Sequence, residues 1–213
     1  MIIWINGAFG AGKTQAAYEL CRRLPDSYVY DPENVGYFIR KNLPPVLCEG
    51  DFQDYPMWRG MNLAMLDYLA DRYAGDIIVP MTVTSRNYYD EIIDALSQRH
   101  ALVHVILCAR RETLLKRLRS RLETGRSWAA QQIDRCIRAF AEEIPGHRIH
   151  TDDRSIEQVV EQVALLAGVT LRADHRGRVR RLFHRVGTQC RHIRQAGLPP
   201  APISADGNNF PRS

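Results

Sequence analysis

Eight consecutive residues, Gly7-Ala8-Phe9-Gly10-Ala11-Gly12-Lys13-Thr14, match the phosphate-binding pattern G-x-x-x-x-G-K-[ST]. A loop built from Gly7, Phe9, Gly10, Ala11 and Gly12 curls so that its N–H groups face the β-phosphate of a nucleotide, and the helix that follows adds the positive end of its dipole. Lys13 would reach the β- and γ-phosphates and Thr14 the Mg²⁺, so ATP and Mg²⁺ are the expected cofactors. At average residue usage, a chance match in 213 residues falls below roughly one per cent. Chemistry at such a phosphate also needs a proton acceptor and positive donors where charge develops. Asp31, at the end of the second strand, is the candidate base; the same Asp-Pro-Glu sequence reads equally as a helix cap, and the two roles are compatible. Arg117 and Arg121 stand one helical turn apart and form the candidate transition-state clamp, with Arg135 on the next helix as a candidate nucleotide contact. Their alternative is a solvated basic face. Phe52, Asp54, Tyr55, Trp58 and Arg59 mix aromatic faces with charge at a helix entrance, as a pocket for a ringed polar substrate would. They read alternatively as a hydrophobic staple and a surface ion pair.

Those residues need elements to position them. Ile2 to Ile5 is an apolar run before the glycine loop, and Ala16, Ala17, Leu20, Cys21 and Leu24 then recur at helical spacing. Tyr28 to Tyr30 predicts the second strand, with a helix from Pro32 to Arg40. A proline-containing loop from Leu43 to Asp51 leads to a helix ending near Tyr73, whose stripe of Trp58, Met61, Met65, Leu69 and Tyr73 predicts a core face. Ile77 to Met81 predicts the third strand. It ends Val79-Pro80-Met81-Thr82 without the aspartate that the phosphate-loop pattern expects, so the outer shell of the metal falls to Thr82, Asp31 or water. A helix from Asn87 to Gln98 leads to a fourth strand, Leu102 to Leu107, in which His104 reads as a packed histidine. A lid region spans about 110–128, with its hinge at Gly125 to Ser127. His147 to Thr151 predicts the fifth strand, and a last helix ends near Ala167. Five β/α units imply a three-layer, mostly parallel sheet with right-handed crossovers.

A chain of 213 residues holds one such domain, residues 1–170, with a small appendage. The net charge of +5 lies mostly after residue 170. The five cysteines are odd in number and widely spaced, without a C-x-x-C pair, which points away from a disulfide framework or zinc site and toward a reducing cytoplasm. The chain opens on a core strand without a basic leader, and no apolar run approaches the ~20 residues of a membrane span. Secretion and membrane insertion are not expected. The absence of an Asn-Lys-x-Asp guanine motif disfavours a GTPase switch.

Between Arg176 and Arg194, Val179, Leu182, Phe183, Val186, Cys190 and Ile193 fall within an arc of about 100° on a helix, with arginines around the rest. Such a segment docks on the core domain or on an anionic membrane. Nucleic acid is a weaker candidate, because only Phe183 could stack on a base. Residues 195–213, rich in Pro, Gly and Asn, are expected to be disordered.

Together with the glycine loop, Tyr30-Asp31-Pro32-Glu33, Asp51-Phe52-Gln53-Asp54-Tyr55-Pro56-Met57-Trp58-Arg59, Val79-Pro80-Met81-Thr82 and Ser127-Trp128-Ala129-Ala130 closely resemble the bacterial tunicamycin-resistance proteins. The likeness covers about residues 1–194. More distantly, the layout is similar to P-loop small-molecule kinases such as chloramphenicol phosphotransferase and gluconate kinase. The resemblance implies a P-loop kinase-like fold with sheet order 2-3-1-4-5. It implies ATP-dependent handling of tunicamycin, a uridine-containing nucleoside with a fatty-acyl chain, and peripheral membrane association through the C-terminal helix. Two functions follow as expectations: phosphorylation of a hydroxyl of tunicamycin or a related nucleoside, or ATP-gated sequestration of the drug without chemistry.

Overall fold

The run Ile2-Ile3-Trp4-Ile5 carries no charged side chain because strand β1 (Ile2–Gly7) is the middle of a sheet covered on both faces, where all four residues are fully buried. The computed structural model describes residues 1–120 and 127–174. Within them, β1 pairs in parallel with β3 (Asp76–Pro80) on one side and β4 (Leu102–Cys108) on the other. Strand β2 (Ser27–Val29) adds to β3 and β5 (His147–His150) to β4, giving the five-stranded parallel order 2-3-1-4-5 with helices on both sides. This is the P-loop kinase-like fold that the sequence pattern and the resemblance implied. Parallel neighbours require crossovers, and each is supplied by a helical stretch. Register places Gly7 beside Leu107 and Ile5 beside Pro80, so the glycine loop leaves the sheet at the carboxyl ends of its neighbours.

Helix α1 (Lys13–Arg23) packs against α9 (Ile156–Ala167), which carries a capping box between Ser155 and Gln158. The chain beyond α9 stays attached to this pair. The Arg172 N–H donates to the Arg23 carbonyl (2.8 Å), Arg23 Nε returns a bond to the Arg172 carbonyl (3.1 Å), and Asp174 meets Arg22 at 3.3 Å. Helices α2 (Glu33–Asn42) and α3 (Pro56–Arg72) pack together, joined by a segment with short 3₁₀ turns at Pro45–Leu47 and Phe52–Asp54.

The predicted core stripe of α3 needs correction. Trp58, Asn62 and Leu66, spaced four apart, are buried, whereas Met61 is 39% and Met65 44% exposed, and Tyr73 lies past the helix end at 38%. Met57, Met61 and Met65 sit one residue, about 100°, back from the buried row. The helix is apolar on both faces, so spacing alone did not select the inner one. Asn62 is buried because it is bonded: it accepts from the Tyr30 hydroxyl (2.8 Å) and donates to the Trp58 carbonyl (2.8 Å).

The helix read at 87–98 is one rod, α4 (Arg86–Tyr89) and α5 (Ala95–Ser97), joined by a π-turn at Asp90–Asp94. The extra residue lets adjacent Ile92 and Ile93 both face the core. Beyond β4 come α6 (Arg111–Arg119), α7 (Trp128–Gln131) and α8 (Ile133–Glu142). Arg121, Gly125, the basic segment 176–194 and the tail 195–213 lie outside the described residues.

Candidate functional site

The glycine loop is held from behind by β4 and from below by its own lysine. A β-carbon on Gly7 would stand 2.6 Å from the Leu107 carbonyl oxygen, so no larger residue lets β1 pass so close to β4 at this point. Gly12, with φ of 101°, occupies the cap position of α1 and has no side chain to offer the amides of the first turn. An anionic oxygen is the partner that geometry suits. Lys13 Nζ donates to the carbonyls of Gly7 (2.9 Å) and Ala8 (3.2 Å) and lies 5.4 Å from the Phe9 ring centroid. Gly10 and Ala11 complete the turn, with the Ala11 N–H on the Ala8 carbonyl at 3.0 Å, and Thr14 opens α1 beside Lys13.

A second set of bonds ties this loop to the chain leaving β3. Buried Asn6 accepts from the N–H groups of Gly7 and Val83, both at 2.9 Å, and donates to the Val83 carbonyl at 3.0 Å. Its amide nitrogen also meets His104 Nε2 at 3.2 Å. Burial pulls the His104 pKa down to about 4, so the ring is neutral and Nε2 accepts, as the packed reading of this histidine required. Thr82 is buried, with its hydroxyl donating to the Gly7 carbonyl at 2.9 Å, which makes it a brace for the loop first.

Asp31 follows β2 at the carboxyl edge of the sheet, where Tyr30 N–H still bonds the Ile78 carbonyl (3.0 Å). Its Oδ1 accepts from the Glu33 N–H at 3.0 Å, so the helix-entry role is realised; the backbone cap itself is Pro32. The aromatic cluster lies against this helix entrance. Trp58 is fully enclosed, with Nε1 donating to the Pro32 carbonyl (3.0 Å). Phe52 packs where a β-carbon on Gly36 would lie, edge-on to Tyr37 at 5.0 Å and under the Arg40 guanidinium at 4.1 Å. Tyr55 is buried and its oxygen accepts from the Glu49 N–H (2.6 Å). Phe52 and Trp58 therefore seat the 49–58 segment on α2 and its cap, and Tyr55 ties the segment to itself. Asp54 and Arg59 face the other way, toward α4. Tyr88 donates to Asp54 Oδ1 (3.1 Å), and Arg59 stacks on the Tyr88 ring (4.3 Å), bonds the Gln53 carbonyl (2.6 Å) and pairs with Glu91. Burial, followed by the bond to Asp54, pushes the Tyr88 hydroxyl above its ordinary range.

Between the chain leaving β3 and α8 runs a cleft of about 390 Å³, lined by Thr84, Ser85, Arg135, Arg138, Ala139 and Glu143. Arg135 also pairs with Asp51, ahead of the 52–54 turn, at 3.4 Å. Arg138, one turn further along α8, was not singled out in the sequence; its i+3 spacing from Arg135 was the available signal. On the other side of the loop, Arg117 donates to the Thr151 hydroxyl (2.9 Å) and carbonyl (2.6 Å), and touches the Ala11 carbonyl at 3.5 Å. It is thus fixed beside the glycine loop by the residue that follows β5. Trp128, also not assigned a role from sequence, meets Phe9 edge-on at 5.1 Å and brings α7 onto the loop. Among the described residues no cluster of three His, Cys, Asp or Glu side chains is arranged to hold a metal ion.

Comparison with known proteins agrees with this geometry. Residues 2–143 match the model of the AAA domain family. The structure of the Deinococcus radiodurans tunicamycin resistance protein shares 34% identity, with a TM-score of 0.70 over 81% of this chain and 98% of that one. Shikimate kinase from Bacteroides thetaiotaomicron aligns at 20% identity and TM-score 0.56, over 79% and 99% of the two chains. The Mycobacterium tuberculosis APS kinase CysC in complex with AMPPNP and APS aligns at 18% and 0.54, over 78% and 96%. At those identities both show the fold alone. No curated protein sequence matches. A glycine loop braced on a 2-3-1-4-5 sheet, in a chain one-third identical to nearly the whole of that first protein, places this chain in the AAA domain family of P-loop proteins and, within it, among the bacterial tunicamycin-resistance proteins.

Proposed function

We propose that the protein is a P-loop kinase that transfers the γ-phosphoryl group of ATP to a hydroxyl of tunicamycin or a related nucleoside. The observation that carries this reading is the phosphate loop, braced through Asn6 and Thr82, in a chain 34% identical to a tunicamycin resistance protein. In the proposed step the acceptor hydroxyl oxygen attacks the γ-phosphorus, the bond to the β–γ bridging oxygen breaks, and ADP leaves. Asp31 takes the hydroxyl proton. The amides of the loop and Lys13 hold the phosphates, and Arg117, with Arg121, offsets the charge that develops on them.

Mg²⁺ bound to the phosphates would neutralise their charge. The donor set suits it in part: Thr14 supplies a hydroxyl at the loop, while β3 ends without a carboxylate, which leaves water and Asp31 to complete the shell. Asp54 and Arg59, on the scaffold of Phe52, Tyr55 and Trp58, would orient the nucleoside, and Arg135 with Arg138 would contact phosphate across the cleft. The cytoplasm is the proposed site of action, with the basic segment 176–194 touching the inner face of the membrane. Among the described residues no helix is long and apolar enough to cross a membrane.

A second reading, ATP-gated sequestration of the drug, is favoured by the missing acid after β3. Mass spectrometry of tunicamycin after incubation with protein and Mg-ATP separates the two. Kinase activity adds one phosphate, 80 Da, to the drug. An unchanged drug that is nevertheless retained by the ATP-bound protein would replace the kinase reading with sequestration.

A further inference from the structure

A second cleft, of about 570 Å³, opens between α6 and α8, outside the site described above. Its size falls in the range of about 300–1,000 Å³ that small-molecule sites occupy. The floor is the carboxyl end of β4, Leu107, Cys108 and Ala109, and the walls are Leu114 of α6 with Ile137 and Phe140 of α8. This surface is aliphatic with one aromatic ring, so it offers little for a stacked base or sugar face. Four of the charged groups on its rim, Arg110, Arg111, Asp134 and Asp152, are already bonded in pairs, and Glu112 of α6 stands beside them. Arg111 pairs with Asp134 across the mouth at 2.9 Å, joining α6 to α8. Asp152 accepts from the Arg110 N–H (3.0 Å), Arg110 Nε (3.3 Å) and the Thr113 hydroxyl (2.6 Å).

Arg148 differs from these. It comes from the edge strand β5, and its guanidinium bonds only backbone carbonyls: Phe140 at 2.9 Å, Ile144 at 3.3 Å, and Ala141 and Gly146 at 3.4 Å. Among the described residues no carboxylate lies within ion-pair distance of it. Its charge is felt at the floor of the cleft, where it opposes the burial that raises the Cys108 thiol pKa. Exposed His150 stands on the same rim.

We infer that the cleft between α6 and α8 binds the alkyl chain of a single-chain anionic amphiphile, with the chain on the half-buried Cys108, Ala109 and Ile137 and the anionic head at Arg148. This inference is independent of the kinase reading, since, Ala8 of the glycine loop apart, none of the lining residues is assigned to phosphoryl transfer. The cleft nevertheless stands behind the glycine loop: Ala8 lines it, and the Leu114 carbonyl lies where a β-carbon on Gly10 would come within 2.9 Å.

The test is calorimetric titration of the full chain with octanoate, decanoate and dodecanoate below micelle formation. Saturable one-site binding is expected, tightening by about threefold to fourfold per methylene, the increment for burying one. Ala141→Trp places a large ring at the mouth from an exposed position on α8. Keeping two methylenes out weakens dodecanoate by about tenfold, while nucleotide binding, measured alongside, reports that the variant is folded. Arg148→Leu is expected to weaken dodecanoate about three- to fivefold, the scale of an exposed ion pair, and to leave dodecanol unchanged. No saturable binding to the wild type, affinity independent of chain length, or equal binding by a folded Ala141→Trp variant would overturn the site. Equal loss of dodecanoate and dodecanol in Arg148→Leu would overturn the head-group assignment.

Discussion

Asp31 carries two demands on one carboxylate. Its Oδ1 already accepts from the Glu33 amide, and the proposed base role falls to the same group. Asparagine satisfies the first demand and not the second, since it caps helices as well as aspartate does but does not take a proton. Asp31→Asn is therefore expected to leave the thermal midpoint nearly unchanged and to lower turnover by about 10²- to 10⁴-fold. Wild-type product formation by this variant would confine Asp31 to the helix entrance. Lys13→Ala should abolish nucleotide binding measured by calorimetry, with circular dichroism unchanged; retained affinity would remove the phosphate-loop assignment. His104 offers a test of the brace behind the loop. Burial holds its pKa near 4, below the ordinary 6.5, so it is neutral in the fold while the unfolded chain takes up a proton between those values. The contribution is complete above pH 6.5 and is lost as pH falls toward 4, on the order of 3 kcal/mol at the limit. Denaturant titrations across that window should show a shallower fall for His104→Gln than for the wild type; parallel curves would mean that His104 is not held neutral.

At the scale of elements, α3 and the 49–58 segment decide how the proposed acceptor side is built. The buried row of α3 is Trp58, Asn62 and Leu66, and the methionine row is outside. Leu66→Ala should cost about 2–5 kcal/mol, whereas Met61→Gln and Met65→Gln should stay within about 0.5 kcal/mol. Equal costs at Leu66 and Met65 would mean that the methionine face is covered in solution. Gly36→Ala makes a separate prediction. Its methyl would fall 2.3–2.6 Å from the Phe52 ring, and that ring, with Arg40 above it, anchors the 3₁₀ turn to α2. The variant should loosen residues 49–55, read as faster amide exchange there, while α1 and β1 keep wild-type protection. Unchanged exchange over 49–55 would show that Phe52 is not the anchor.

For the whole molecule, the question is how the compact domain relates to the basic segment 176–194. The described chain remains bonded to α1 as far as Asp174, through Arg22, Arg23 and Arg172. A chain ending after Asp174 is expected to fold and bind nucleotide like the full protein. The full protein should co-sediment with anionic vesicles in a salt-sensitive way, each arginine near the surface contributing about 1 kcal/mol, and the shortened chain should not. Equal sedimentation of both would take the membrane contact away from 176–194, and a shortened chain that fails to fold would assign that segment to the core.

Much of this architecture was legible in the residues because its signals are local. A glycine loop requires particular residues at particular spacings; apolar runs bounded by turns mark strands covered on both faces; the resemblance added the strand order. The parallel sheet followed from alternation of strands and helices. What the chain could not show along its length was which of two apolar faces of α3 turns inward, because the Asn62 carbonyl oxygen is satisfied by a hydroxyl thirty-two residues earlier. Nor could it show that Phe52 and Trp58 would seat a segment against α2, that Thr82 would bond Gly7 and Asn6 would bond Val83 between β1 and the chain leaving β3, or that Arg138 would join Arg135 in one cleft. Each of these depends on contacts between residues far apart in sequence, and side-chain type and spacing specify a residue's own periodicity but not the neighbour that packing brings to it.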